Sequence, residues 1–280
     1  PYVGLSIYAL DGDVVPIDWT QKNFWEYLVN VQWTEESEIY LTVQNRNQTS
    51  MGILRVDSVT GDVEEIYRWT DEYWVEIISG APKVIGEHIV TVEDRGEARA
   101  LVVDNVQISS SDIQIRSLIH CDNKGVVTAV SENPLEQHIM HFDLDGKATQ
   151  LSKGAGVHDA VSNGSLTVIQ SRSMDFDGVQ TSIYIKNVQI AEVEDRSENP
   201  VITLNANFHT LGERSLETVV LFPLNHDNST PLPVILDPYG GPHAQRVRSA
   251  RGLFGVSQWF ADQGFAVIVT DGRGTPGRSP

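Results

Sequence analysis

Basic residues are scarce in this chain of 280: lysine and arginine number 20 against 38 aspartates and glutamates, a formal net charge of −18. Nucleic-acid backbones and anionic membranes call for a cationic surface, so both are disfavoured as partners. An acidic surface suits solubility and attracts cationic ligands such as a free peptide amino terminus. Cysteine is nearly absent. Cys121 alone makes neither an intrachain disulfide nor a metal cluster, and it reads as a small buried hydrophobe. No apolar run is long enough to span a membrane. No leader segment is visible and the first residue is Pro1, so the chain reads as an excerpt of a longer polypeptide. Its location is left open, with the cytoplasm favoured. Three Asn-x-Ser/Thr triplets begin at Asn47, Asn163 and Asn228, a pattern short enough to arise by chance. His120, His138, His141, His158, His209, His226 and His243 lack the spacing of metal ligands. His138 and His141 are three apart in a strand context and point to opposite faces. No metal or cofactor is expected.

What the first two-thirds contains is short strands with polar turns. The stretch 38–69 alternates β-formers around turn clusters, with Gly61 where a tight hairpin needs it. Similar rounds recur at 86–108, 125–151 and 164–193, and no helix-period segment interrupts them. Their spacing of roughly forty residues is the blade period of a β-propeller. Four rounds predict about four blades of about four antiparallel strands. A β-sandwich with even strand spacing is the alternative. Four blades alone leave open edges, a second sign of a larger whole.

After about residue 198 the pattern changes. One strand ends near Phe222, an apolar strand follows at 232–237, and "SARGLFGVSQWFADQG" reads as a helix. Ala250, Leu253, Phe254, Phe260 and Ala261 fall near one helical face, with Gly264 as the stop. The run "FAVIVT" then ends at Asp271. Strand, helix, strand, with both strands apolar, predicts a βαβ unit feeding a parallel sheet. The expected fold is therefore mainly β: residues 1–198 the C-terminal part of a propeller, residues 199–280 the start of an α/β domain.

Loops at the carboxyl ends of parallel strands are where α/β folds place ligands. Two such loops are present, "DPYGGPHAQ" and "TDGRGTPGRSP". In the first, Tyr239 offers a phenolic donor, Gly240 and Gly241 permit close approach and positive φ, and Pro238 and Pro242 stiffen the flanks. Those are the properties of an oxyanion hole, at the position that supplies one donor in α/β-hydrolases. A rigid surface turn with a packed tyrosine has the same sequence. In the second loop, Asp271 and Arg273 read as partners that brace the backbone.

The blades followed by "PVILDPYGGPHAQ" and "QWFADQGFAVIVTDGRGTPGRSP" resemble the prolyl oligopeptidase family. The likeness is closest to its dipeptidyl-peptidase branch, actinobacterial members included, and "YWVE" at 73–76 resembles that branch's propeller. The resemblance spans essentially the whole chain and is strongest over 232–280. It implies a propeller capping an α/β-hydrolase domain. It implies a serine peptidase that hydrolyses short peptides, releasing N-terminal dipeptides or cleaving after proline. It also implies that Tyr239 is the side-chain oxyanion donor. The implied partners are a peptide substrate and the remainder of the same polypeptide; whether the chain forms a homo-oligomer is left open.

The departures bear on activity. The family's G-W-S-x-G-G-like elbow, its acid and its histidine lie downstream of the "DGRG" loop, so the triad is expected beyond residue 280 and this chain alone is expected to be inactive. Gly277-Arg278-Ser279 lacks the preceding strand and the second glycine of an elbow, which sets Ser279 aside as nucleophile. Glu35-Glu36 and Glu64-Glu65 read as solvated pairs rather than amine binders. His243 and Arg273 are candidate substrate contacts. The competing reading is a non-catalytic propeller interaction module, or a relative without its triad.

Overall fold

The computed structural model describes residues 3–21, 24–34, 37–186, 188–227, 229–242 and 244–278. The chain divides into two compact units, Pro1–Arg95 with Ala100–Ile108, and Gly96–Arg99 with Ser109–Pro280. The boundary expected at residue 198 falls inside the second unit.

The first unit opens with an antiparallel ribbon of β1 (Leu5–Tyr8) and β2 (Val14–Ile17) that the repeat pattern did not announce. Next comes an antiparallel meander of β3 (Tyr27–Trp33), β4 (Ile39–Gln44), β5 (Ser50–Val56) and β6 (Val63–Thr70). β7 (Lys83–Ile85), β8 (His88–Arg95), β9 (Ala98–Val103) and β10 (Val106–Gln107) form another four-stranded sheet in sequence order. The core of the first meander is Trp19, Trp25, Leu41, Val43 and Leu54. β4 is buried along its whole length, while the outer β6 alternates between covered and exposed positions. Trp25 fits because position 52 has no side chain: a Cβ on Gly52 would lie 2.6 Å from the indole Cζ2. Gly61 closes the β5–β6 hairpin at φ +78°, as its place in the sequence predicts. The Asp57 carboxylate secures that turn by accepting from the Val59 and Thr60 amides.

The second unit contains two more antiparallel meanders. One is β11 (Gln114–Asp122), β12 (Gly125–Ser131), β13 (His138–Phe142) and β14 (Ala148–Gln150). The other is β15 (Val157–Ser162), β16 (Leu166–Arg172), β17 (Gln180–Ile185) and β18 (Val188–Val193). Val127, Ala129, Ile139, Leu151, Ile169 and Tyr184 pack between them. Four four-stranded sheets thus occupy the four predicted rounds. Each round captured three strands of its sheet and missed the first. The reasons are local: β7 is three residues long, and β11 carries two register shifts that break its alternation. Cys121 lies in β11 and is half-buried rather than buried.

A mixed sheet follows, in the order β19-β20-β22-β21. β19 (Ala206–Leu211) and β20 (Leu216–Leu221) are antiparallel, and β20 runs antiparallel to β22 (Ala266–Asp271). β21 (Val234–Tyr239) is parallel to β22, joined to it through α1 (Gly255–Asp262), so the expected βαβ unit is present. Two details differ. β21 is the last strand in the order of this sheet, and Val234 is 54% and Leu236 67% exposed. The helical stretch is a 3₁₀ turn, Arg251–Leu253, followed by α1, and the change of pitch rotates the two pieces out of phase. Ala250, Phe254 and Ala261 are buried, whereas Leu253 and Phe260 are exposed. The core of this part joins Val219, Val247, Phe254 and Val267 to Leu135 and Met174 from the meanders of the same unit.

Replacing Gly52 with alanine should push Trp25 out of its site. Overpacking of this kind costs about 1–3 kcal/mol. Urea denaturation should show a lower midpoint with an unchanged slope.

Candidate functional site

β21 and β22 end level with one another, Tyr239 opposite Asp271. Ile235, Asp237 and Tyr239 share the covered face of β21 by strand parity, and Ile235 packs on the core. The chain then leaves the sheet and crosses in front of β22 without a ladder to satisfy its amides. Two carboxylates secure it. Asp271, 1% exposed, accepts from the Arg246 amide through Oδ1 at 2.8 Å and from the Val247 amide through Oδ2 at 3.1 Å. Asp237 receives the Arg246 guanidinium as a fork, Nη1 to Oδ1 at 3.1 Å and Nη2 to Oδ2 at 2.6 Å.

Meander residues of the same unit hold the segment from its other side. Gln245 Nε2 donates to the Pro134 and Val247 carbonyls. The Ser249 amide donates to Leu135 O at 2.7 Å and the Arg251 amide to Ser173 O at 3.1 Å. Arg248 Nη2 donates to Gln137 Oε1, and Arg251 Nε to Asp177 Oδ1. The loop after β22 is tied down separately, by Arg278 Nη2 donating to the carbonyls of Arg214 and Ser215.

Within this frame Tyr239 is half-buried, and among the described residues its hydroxyl has no hydrogen-bond partner. The phenol lies over Gly241, where a Cβ would come within 2.9 Å of the hydroxyl oxygen. The need for glycine at 241 is therefore steric: neither Gly240 nor Gly241 has a left-handed backbone, contrary to expectation. What results is a phenolic donor at the carboxyl end of a parallel strand, on a loop pinned from both sides.

Of the other sequence candidates, Asp271 does brace a loop, but the one that follows β21 rather than its own. Arg273 is exposed, and its expected pairing with Asp271 is not seen among the described residues. His243, Ser279, Glu35, Glu36 and Asn228 lie outside the described residues. Glu64 and Glu65 each pair with an arginine, Arg55 and Arg68 respectively. The His138 ring lies tilted against that of the buried His158 at 5.3 Å between centroids, while His141 sits beside Asp143. Sequence reasoning missed Asp237, Gln245, Arg246 and Arg248. The signal available was three polar or charged residues in "QRVR", placed between two apolar elements.

Burial holds the Asp271 carboxyl above the ordinary aspartate range, against the opposing pull of the two amides, Arg246 and Arg278. Since the folded-state value is the higher one, ionisation of Asp271 opposes folding. Its contribution is complete below the unfolded pKa and is lost as pH rises through the folded one. Asp271→Asn should flatten that part of the stability-versus-pH curve. It should also lower the neutral-pH plateau by about 1–3 kcal/mol, since one amide then meets an NH₂ group. Urea denaturation across that pH range measures both.

A family model described as "Dipeptidyl peptidase IV (DPP IV) N-terminal region" matches residues 1–184. A protein of Emericella nidulans named "Probable dipeptidyl-aminopeptidase B" is 23% identical over 320 residues, covering 98% of this chain and 35% of its own length. Another of that name, from Arthroderma gypseum, is 27% identical over 164 residues, covering 52% of this chain and 18% of its own. The chain thus spans about a third or less of the curated relatives it matches. The crystal structure of Porphyromonas gingivalis dipeptidyl peptidase 4 superposes with a TM-score of 0.83 at 18% identity, over 99% of this chain and 42% of that one. That likeness establishes the fold, a mainly β chain built of several four-stranded sheets.

Proposed function

This chain belongs to the family of the dipeptidyl peptidase IV N-terminal region, and we propose that it is the portion of a propeller-capped serine peptidase that presents the oxyanion donor, Tyr239. In this reading residues 1–198 are propeller and residues 199–280 begin an α/β-hydrolase domain. The substrate is a short peptide, from whose amino terminus dipeptides are released or which is cut after proline. A serine, an aspartate and a histidine from polypeptide outside these residues would form the triad. The serine attacks the scissile carbonyl, and the histidine, oriented by the aspartate, takes its proton and later delivers it to the leaving amine. Negative charge builds on the carbonyl oxygen as the tetrahedral intermediate forms, and the Tyr239 hydroxyl donates to it.

The observation that carries the proposal is the Tyr239 hydroxyl, unpartnered among the described residues, on a residue that pairs with Asp271 at the end of β21. A donor fixed in advance stabilises developing charge without reorganising at the moment of reaction.

The test is Tyr239→Phe in the full-length peptidase, assayed with a dipeptide-releasing chromogenic substrate. Loss of one oxyanion donor costs about 10²–10³ in kcat. That loss is expected with KM nearly unchanged, and with labelling of the serine by a fluorophosphonate retained. Unchanged turnover would remove Tyr239 from the mechanism.

A further inference from the structure

Partly buried arginines in this chain find acceptors. Arg246 has Asp237, Arg251 has Asp177, Arg95 has Glu93, and Arg248 has the Gln137 amide oxygen. Arg116 is the exception. It projects from β11 to the ends of the parallel strands, where Nη2 makes a long 3.4 Å contact with Gln245 Oε1. Its Nη1 is buried, and among the described residues nothing accepts from it. The neighbouring charges do not compensate: Arg248 and Arg99 both act against it. Burial is the larger penalty, and together they push the Arg116 pKa down to about 10, still well above neutrality, so the cation persists.

A desolvated guanidinium facing two like charges, in a chain with 38 acidic residues to choose from, is a costly arrangement. An anion arriving there would be attracted by Arg116 together with its like-charged neighbours Arg248 and Arg99. We propose that Arg116, supported by Arg248, is a binding position for a carboxylate, and that the carboxylate is carried by a peptide. The planar guanidinium, with Nη1 unused and Nη2 weakly engaged, offers two parallel donors, the pattern a carboxylate accepts. The position lies among the loops that follow β21 and β22, since Gly277 of the second loop rests on the guanidinium. A Cβ at residue 277 would fall 1.3 Å from Nη1, so only glycine permits this close cover. The cover must shift by the thickness of a side chain for a ligand oxygen to reach Nη1, whereas Nη2 is reached by displacing Gln245 Oε1. The peptide as carrier rests on the peptidase reading above; the carboxylate position itself does not.

The experiment uses the 280-residue chain and reads binding rather than turnover. N-acetyl-Ala-Ala with a free carboxylate, the same peptide as its amide, N-acetyl-glutamate amide, and sodium acetate are titrated at matched ionic strength, by calorimetry and thermal melting. The free-acid peptide is expected to bind and raise Tm, and its amide to do neither. Response to the glutamate compound identifies a side-chain carboxylate as an accepted source, and its silence restricts the site to a peptide's C-terminus. Arg116→Met should melt at or above the wild type, because it removes an unpaired buried cation. It should also weaken the free-acid peptide by about tenfold or more. Gln245→Glu supplies a carboxylate internally and should abolish the response in a folded protein. Equal binding of acid and amide, or binding that survives in both variants, overturns the proposal and leaves the peptidase reading intact. An Arg116-dependent response to acetate with none to any peptide overturns the peptide as carrier.

Discussion

Two amides that turn inward at Arg246 and Val247 have no strand to pair with, and the buried Asp271 carboxylate answers both. Much else at the strand ends depends on that arrangement. It fixes where the chain passes in front of β22, and so lets Val247 enter the core beside Phe254 and Val267. It brings Arg246 back onto Asp237 and places Gln245 against Pro134. Tyr239 stands at the start of the crossing segment, paired with Asp271 at the strand end. The clamp has an electrostatic cost, since a carboxylate is kept from water, and the amides and Arg246 offset only part of it.

The segment from 244 to 251 is consequently a shared structure. Its own sheet supplies Asp237 and Asp271, and the β11–β14 and β15–β18 meanders supply Pro134, Leu135, Gln137, Ser173 and Asp177. Backbone carbonyls and amides do much of this joining, which tolerates wide change of side chains. The path of the chain after Tyr239 is thus set as much by meander residues as by its own sheet.

The sequence made some of this legible and not the rest, for physical reasons. Strand alternation and Gly61 announced the meanders, because period-two patterning and a left-handed turn are local properties. The strands opening each sheet were harder to see: β11 is bulged twice and β7 is too short to show a period. The pair β21 and β22 was evident from two apolar runs. Tyr239 stood out through its glycine and proline neighbours. Arg246 and Arg116 did not, because their significance lies in partners 9 and 129 residues away. Of the two properties that made Gly241 stand out, close approach and backbone freedom, the structure uses the first, as room for the tyrosine ring.

The placement of tryptophan has a spectroscopic consequence. Trp19, Trp25, Trp33, Trp69 and Trp74 belong to the first compact unit and only Trp259 to the second. Trp19 and Trp25 are sealed in the core of the β3–β6 meander, whereas Trp259 is half in solvent. Intrinsic emission therefore reports almost wholly on one unit, through a blue-shifted component that reddens when that meander opens. Circular dichroism averages over both. Disagreement between the two signals during denaturation would measure how independently the units unfold.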